Sequence, residues 1–330
     1  MNQTFQTPAL PTTMRAMVID HTGEADVFRE DAEFPAPPRV SDEFLIRVHA
    51  SAVNPIDSKT RAGGGVSGAI PTFPWILGND FSGTVVASPY EHHPIKPGDE
   101  VYGMARVPRG YGTYAEYASI QMMSVSRKPT SLDHTQAAGV PLAALTAWGA
   151  VMDVGGARAG QRILIHAGAG GVGHFAVQFA AHAGAHVITT GSTRNQEFLA
   201  GLGAHEVIDY TTERFEEVIE PVDTVIDLIG NVADDTGTRS LKAMKPGGLL
   251  VNVPSFSWPN FLADAAAAGM RATSYKVAPD ARVLDAITAL IDQGTIRVHI
   301  DRVLPLAEVA EAHRLLEHGH TRGKIVLAVS

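Results

Sequence analysis

The sequence predicts a two-domain α/β protein in which an antiparallel, barrel-like β domain precedes a parallel, doubly wound sheet. Three observations carry this. Up to about residue 137 the chain is a series of short β-type runs broken by turns, MRAMVID, FLIRVHASAVN, DFSGTVVAS, DEVYGMA and YAEYASI, the spacing expected of antiparallel strands. From about residue 139 to 277, apolar strands alternate with alanine-rich helices in RILIHA, FAVQFAAHA, HVITTG, EFLAGLG, EVIDY, DTVIDLIG, RSLKAM and GLLVNVP. Such alternation places crossover helices between parallel strands. Finally, 330 residues that are 45% hydrophobic and 18% charged supply core material for about two domains.

Taken in order, residues 1–13 lack the basic and apolar regions of a secretory signal and read as a flexible extension. Residues 14–138 form the β domain and residues 139–278 the parallel-sheet domain, in which the alanine run at 265–268 reads as helix. Residues 279–330 contain a helix (ARVLDAITALIDQG), a strand near IRVHIDRVLPL, a second helix and a last strand, KIVLAV. By pattern alone, that last strand either extends the parallel sheet or rejoins the first domain.

Composition removes several function classes. A net charge of -9 with no run of Lys or Arg argues against nucleic-acid partners, which need a concentrated basic surface. With no cysteine, disulfides, iron–sulfur clusters and thiolate zinc sites are excluded, and any metal would need His and carboxylates alone. Apolar stretches are interrupted by Gly, His or charge well before membrane-spanning length. A cytoplasmic protein acting on a small molecule is the resulting expectation.

The strongest chemical signal is the loop Gly168-Ala169-Gly170-Gly171-Val172-Gly173, a G-x-G-x-x-G string. Alone the string is weak, since glycine-rich turns without a ligand are common. Here an apolar strand over residues 163–166 runs into it and a helix starting near Val172 runs out, which is the setting a dinucleotide requires. One glycine permits the tight turn, one lets backbone approach a diphosphate, and one lets helix pack on strand. The helix N-terminus then offers free N–H groups and a positive dipole end to the phosphates. About twenty residues on, where NAD sites place an acid, residues 187–196 contain none and offer Ser192, Thr193 and Arg194. Hydroxyls and a guanidinium suit a 2′-phosphate that a carboxylate would repel, so NADP(H) is the expected cofactor. Arg194 as a plain solvated loop charge is the alternative.

Nine ordered blocks then carry a family resemblance: ASAVNPIDSKTRAG, ILGNDFSGTV, PGDEVYG, GTYAEYAS, PLAALTAWGAV, the glycine loop, LGAHEVIDY, KPGGLLVNV and HTRGKIVLAV. Over nearly all of residues 14–330 the chain resembles the medium-chain dehydrogenase/reductase superfamily, in the zinc-independent quinone oxidoreductase (zeta-crystallin-like) branch. The resemblance implies a GroES-like β-barrel catalytic domain, a Rossmann cofactor domain and a C-terminal segment that returns to the barrel. Zinc members carry a Cys where Asn54 stands, a His-Glu pair where Asn79 and Asp80 stand, and a Cys near Leu142. These positions are non-ligating here, so the resemblance implies no metal, and positioning and hydrogen bonding rather than a Lewis acid. That suits hydride transfer to an activated acceptor, a quinone or an α,β-unsaturated carbonyl.

The same resemblance puts Asn54 beside the nicotinamide, with an Asx-type cap before Pro55 as the alternative. Thr146 would contact the nicotinamide ribose or phosphate, or else pack its helix. Tyr210 would border adenine and the 2′-phosphate, Val253 and Pro254 would touch the nicotinamide edge, and Arg322 would reach the cofactor from the returning segment, while Lys324 reads as a structural partner. Arg61 is a candidate for polarising a substrate carbonyl, with a local ion pair to Asp57 the alternative. The paired histidines at 92–93 and at 318 and 320 read as solvated loop residues. Two other readings stay open: an NADPH-dependent enoyl-thioester reductase, although residues 61–72 hold no tyrosine and leave Tyr111 as a donor from elsewhere, and a non-catalytic NADPH-binding, crystallin-like protein. A homodimer is the usual outcome in the family.

Overall fold

The computed structural model describes residues 11–38 and 40–329. The expected extension therefore lies mostly outside the described residues, and its last residue opens the first strand, Thr13–Ile19. Six strands, Arg162–Ile165, His186–Gly191, Glu206–Asp209, Val222–Asp227, Met244–Asn252 and Arg271–Ser274, pair in parallel. Counted in chain order, they lie across the sheet as 3-2-1-4-5-6, the doubly wound order in which ligands bind beyond the strand ends where the winding reverses. The central strands are apolar throughout because both faces are covered: Ile163, Leu164 and Ile165 are all fully buried. Helix Gly173–His182 follows the glycine loop, and Phe175, Val177 and Phe179 bury it against the sheet. The alanine run falls in helix Phe261–Ala267.

The N-terminal half forms antiparallel sheets. Strand Glu43–Ala52 is the hub: Asp80–Ala87 lies on one side, and on the other Tyr117–Gln121 pairs with its first half. Its second half pairs antiparallel with Lys324–Ala328, Val326 opposite Ala52 and Ala328 opposite Ala50. The last strand thus joins the first sheet and not the parallel one. Ile325 and Leu327 sit in one core with Phe44, Ile46, Phe81 and Tyr114, and each such side chain contributes about 1.5–3 kcal/mol by burial.

The first helix of the C-terminal segment, Ala281–Asp292, behaves differently. Asp280 caps it by accepting from Arg282 N at 2.9 Å and Val283 N at 3.2 Å, and Leu284, Ile287 and Ile291 recur at a spacing that makes one apolar face. That face joins the core of the parallel-sheet half, while Leu284 O accepts from Tyr102 Oη at 3.0 Å. The helix consequently bridges the two halves, and its removal would uncover both. Among the described residues no helix is long and apolar enough to cross a membrane.

Candidate active site

The glycine loop is shaped by what its missing side chains would hit. A Cβ on Gly168 would lie 2.0 Å from Thr189 Oγ1, and one on Gly173 would lie 2.1 Å from Ala167 O; these two glycines serve packing. Gly170 meets only Ala167 O, at 3.3 Å, so its lack of a side chain leaves space on the ligand side. The left-handed residue of the turn is Ala167, with φ 51°, and not a glycine. Its strain is held by Thr190, whose Oγ1 accepts from Ala167 N at 3.1 Å, and by a Gly170 N to Ala167 O bond at 3.0 Å.

A cavity of about 510 Å³ opens at this loop, and Ala169, Gly170, Ser192, Thr193, Arg194 and Tyr210 are among its walls. Glycine backbone on one side with hydroxyl, guanidinium and aromatic groups opposite is a cradle that fits a dinucleotide phosphate end. Tyr210 stands 58% exposed at the rim. Val172 is the residue before helix Gly173–His182, and Gly171 faces the stem of Lys324.

The stretch without acids has an acid behind it. Asp209, at the end of the adjacent strand, accepts from the Thr193 hydroxyl, from Thr211 Oγ1 at 2.6 Å and from Thr211 N at 3.0 Å. The Thr193 bond first, then those of Thr211, hold its carboxyl below the usual range. Thr193 thus has its proton committed internally, and the expected trio of donors reduces to Ser192 and Arg194. Nothing within residues 187–196 announces this, because the pairing crosses between strands; the signal was the acid at the end of EVIDY, one strand over. Gly319, His320 and Thr321 also line the cavity, and His320 O accepts from Arg194 Nη2 at 2.5 Å. His320 is thus an exposed loop residue, as expected, whose backbone also forms part of this wall. His93, in contrast, is a loop anchor: its Nδ1 accepts from Ile95 N at 3.0 Å and its ring packs edge-on against Phe44 at 4.8 Å.

Arg322 does not line the cavity. Its Nε donates to Asn195 Oδ1 at 2.8 Å, its Nη2 to Arg194 O at 2.7 Å, and its guanidinium lies 5.0 Å over the Phe198 ring, so it braces the loop that carries Ser192, Thr193 and Arg194. Arg61 departs further from expectation. It is 1% exposed and its Nη2 donates to Glu317 Oε1 at 2.6 Å, while Nε and Nη1 make no hydrogen bond among the described residues. Its ion-pair partner is Glu317 and not Asp57, and a guanidinium buried on that carboxylate is not presented to an acceptor, so the carbonyl-polarising role is withdrawn. A charge on the helix next to Asn54 looked available in sequence because Glu317 is 256 residues away.

On the barrel side of the glycine loop, reached from it by the Lys324 side chain, is a buried polar cluster. Asn54 precedes helix Pro55–Arg61, where Asp57 Oδ2 caps Asn54 N at 2.9 Å. The Asn54 amide donates from Nδ2 to Asp80 Oδ2 at 2.9 Å and accepts at Oδ1 from Lys324 Nζ. Asp80 Oδ1 also accepts from Leu142 N at 2.7 Å, and Lys324 Nζ lies 3.4 Å from Asp80 Oδ2 and 3.1 Å from Val53 O. Asn54, Asp80 and Lys324 are 1%, 0% and 3% exposed. Burial pushes the Asp80 carboxyl up, and Lys324, Asn54 and the Leu142 N–H oppose it. Asp57 accepts from Asn79 Nδ2 at 2.7 Å, yet burial still raises it to about 7.

Thr146 lies on the helix that Asp80 anchors at Leu142, and its hydroxyl proton returns to Leu142 O at 2.6 Å. Val253 and Pro254 follow strand Met244–Asn252; Val253 N donates to Asp227 O at 3.0 Å and Pro254 O accepts from Ser257 Oγ at 2.9 Å. Lys59 Nζ meets Ser255 O at 3.4 Å, so this loop faces the helix that Asn54 begins. The structure thus brings Asn54 together with Lys324, and the glycine loop together with Ser192, Arg194 and Tyr210.

A glycine cradle at the reversal of a doubly wound sheet, faced by a β-barrel, defines a two-domain nicotinamide-dependent oxidoreductase. Residues 40–130 match the alcohol dehydrogenase GroES-like domain and residues 202–327 the zinc-binding dehydrogenase domain. The chain is 36% identical to the mouse (Mus musculus) protein NAD(P)H oxidoreductase RTN4IP1, mitochondrial, over 98% of this chain and 91% of that one. It is 33% identical to the Arabidopsis thaliana NADPH-dependent alkenal/one oxidoreductase, chloroplastic, over 97% and 80%. The solved quinone oxidoreductase of Coxiella burnetii superposes with a TM-score of 0.90 at 38% identity, covering 96% of this chain and 99% of that one. The chain belongs to the medium-chain dehydrogenase/reductase superfamily, in its zinc-independent branch.

One matching domain is described as zinc-binding, and the residues here do not fit that metal. At the positions where the resemblance places zinc ligands stand Asn54, Asn79, Asp80 and Leu142. Their one carboxylate already faces the Lys324 ammonium, and two amides with an aliphatic side chain do not complete a tetrahedral N/S/O set.

Proposed function

We propose that this protein is an NADPH-dependent reductase of quinones or α,β-unsaturated carbonyl compounds. The observation that carries the reading is the cavity at the glycine loop, walled by Ser192, Arg194 and Tyr210, with Asp209 turned behind Thr193 and outside the lining. Arg194 keeps guanidinium donors beyond the one given to His320 O, and these suit a 2′-phosphate. When bound, the reduced nicotinamide supplies a hydride to an electron-poor carbon of the acceptor. The chain contributes the rest: Ala169, Gly170, Gly171 and the helix that starts at Gly173 hold the diphosphate, and Val253, Pro254 and Thr146 border the nicotinamide. The Asn54 cluster fixes the barrel wall against which an acceptor aligns. The names of the Arabidopsis and Coxiella relatives support an enone or quinone as acceptor.

The test is steady-state NADPH and NADH oxidation over a panel of quinones, enones and enoyl thioesters. Turnover with the first two and preference for NADPH support the proposal. Turnover only with enoyl thioesters favours the thioester reductase, and tight NADPH binding without turnover favours a crystallin-like binding protein.

We propose the domain boundaries 14–138 and 139–278, with residues 279–330 returning to the barrel by way of the bridging helix Ala281–Asp292, which packs on the parallel-sheet half, and a cytoplasmic homodimer. Strand Arg271–Ser274 ends the parallel sheet with one neighbour, which leaves an edge for a second copy to extend; light scattering of the purified protein tests the dimer.

A further inference from the structure

Three consecutive residues of the returning chain reach three separate places in the molecule. Arg322 braces residues 194 and 195; Gly323 N donates to Ala169 O of the glycine loop at 2.8 Å. Lys324 then crosses from one half of the molecule to the other. Its stem passes 3.2 Å from where a Cβ on Gly171 would stand, and its ammonium ends among Val53 O, Asn54 Oδ1 and Asp80 Oδ2. Those three acceptors match the three donors of an ammonium.

We infer that Lys324 is a positioning residue for hydride transfer, its stem lying along the dinucleotide loop while its ammonium sets the Asn54 amide and the Asp80 carboxylate of the barrel wall. The inference rests on the proposed reading of this region as a hydride-transfer site. One side chain keeps nucleotide cradle and acceptor wall in register, and through Asp80 the hold extends to Leu142 and the helix that carries Thr146. Stability alone does not account for it, because a fully buried ion pair is a weak stabiliser that well-packed apolar groups often match or exceed. What the pair adds is direction. Asn54 is a two-ended amide, and a cation at Oδ1 with an anion at Nδ2 permits one orientation only.

The experiment compares wild type, Lys324→Met, the double variant Asp80→Asn with Lys324→Met, and Lys324→Arg in thermal midpoint and NADPH-oxidation kinetics. Methionine keeps the stem beside Gly171 and removes the charge. We expect Lys324→Met and the double variant to lose about tenfold or more in kcat while KM for NADPH moves less than about threefold, since misplacement of the reacting groups acts on the rate. The double variant should regain the midpoint that the single variant loses, having no unpaired charge, without regaining kcat; Lys324→Arg should restore part of kcat. If the double variant recovers kcat along with its midpoint, or if Lys324→Met keeps wild-type kcat, Lys324 is only structural and the inference is overturned. Absence of NADPH oxidation by the wild type with every acceptor overturns the reading of the region, and this inference with it.

Discussion

The cavity end at the glycine loop and the buried barrel end that Lys324 links to it are built on opposite principles. At the glycine-loop end, Ser192, Arg194 and Tyr210 stand partly or largely open around a cavity of about 510 Å³, with hydrogen-bonding capacity left over. At the barrel end, Asn54, Asp80 and Lys324 are buried and each satisfies its capacity on the others, on Val53 O or on Leu142 N. An end that recognises a ligand keeps groups unsatisfied until the ligand arrives. An end that must hold geometry within fractions of an ångström is locked beforehand. Substitutions should therefore be felt as affinity at the first end and as stability or rate at the second.

The largest effect is expected at the locked end. Asp80→Ala leaves the Lys324 ammonium buried opposite no carboxylate, and removing one partner of such a pair costs about 3–5 kcal/mol. Ser192→Ala at the open end should stay within about 0.5 kcal/mol. Urea denaturation of both variants checks the contrast; equal midpoints would erase it.

Acid should act next, and the sign follows from buried groups at both ends. Burial holds His166, His174 and His313 at about 3, 4 and 3, below the 6.5 of a free imidazole. As pH falls below 6.5, the unfolded chain takes up three protons that the folded one refuses. Asp57, raised to about 7, works the other way, since the folded protein keeps a proton that the unfolded chain has released. These four groups alone give a net uptake of about two protons on unfolding between about pH 4 and 6.5, and the buried Asp80 and Asp227 carboxyls, also pushed up, oppose it, so stability falls on acidification by less than about 3 kcal/mol per pH unit. Denaturation midpoints at pH 7, 6 and 5 test the sign, and a flat or rising series on acidification would show that the raised carboxyls cancel or outweigh the neutral imidazoles.

Within the glycine loop the same contrast recurs at smaller scale. Gly173→Ala drives a methyl to 2.1 Å from Ala167 O and Gly170→Ala to 3.3 Å. We expect the first to lose about 1–3 kcal/mol of stability; the second should fold normally and show its defect as weaker nucleotide binding. Calorimetry with NADPH separates the two.

The smallest expected effect sharpens the cofactor assignment. Arg194→Gln should weaken NADPH binding by about tenfold, the worth of one charge-assisted contact, and leave NADH binding unchanged. Equal losses for both nucleotides would place Arg194 away from the 2′-phosphate.

What could be read in the sequence was what is local in the chain. Strand, glycine loop and helix are contiguous, so residues 162–182 announced their conformation and their task together, and alternating apolar strands with small-residue helices required a parallel sheet. Asp209 escaped notice because its bond to Thr193 crosses between adjacent strands, and Ala167 because nothing in its residue type signals a left-handed turn. Arg61 drew attention by its charge and its position seven residues after Asn54, but its partner Glu317 lies on a helix near the other end of the chain.

By itself, then, the amino-acid sequence settled the layer architecture, the dinucleotide loop and the absence of thiolate chemistry, since periodicity, spacing and composition act over short distances. Tertiary structure alone decided that Lys324 meets Asn54 and Asp80, that Arg322 braces a loop, and that Arg61 is buried on Glu317. Those outcomes depend on where the last strand docks. That docking is a choice between two sheet edges made by summed side-chain packing, which no short stretch of sequence encodes.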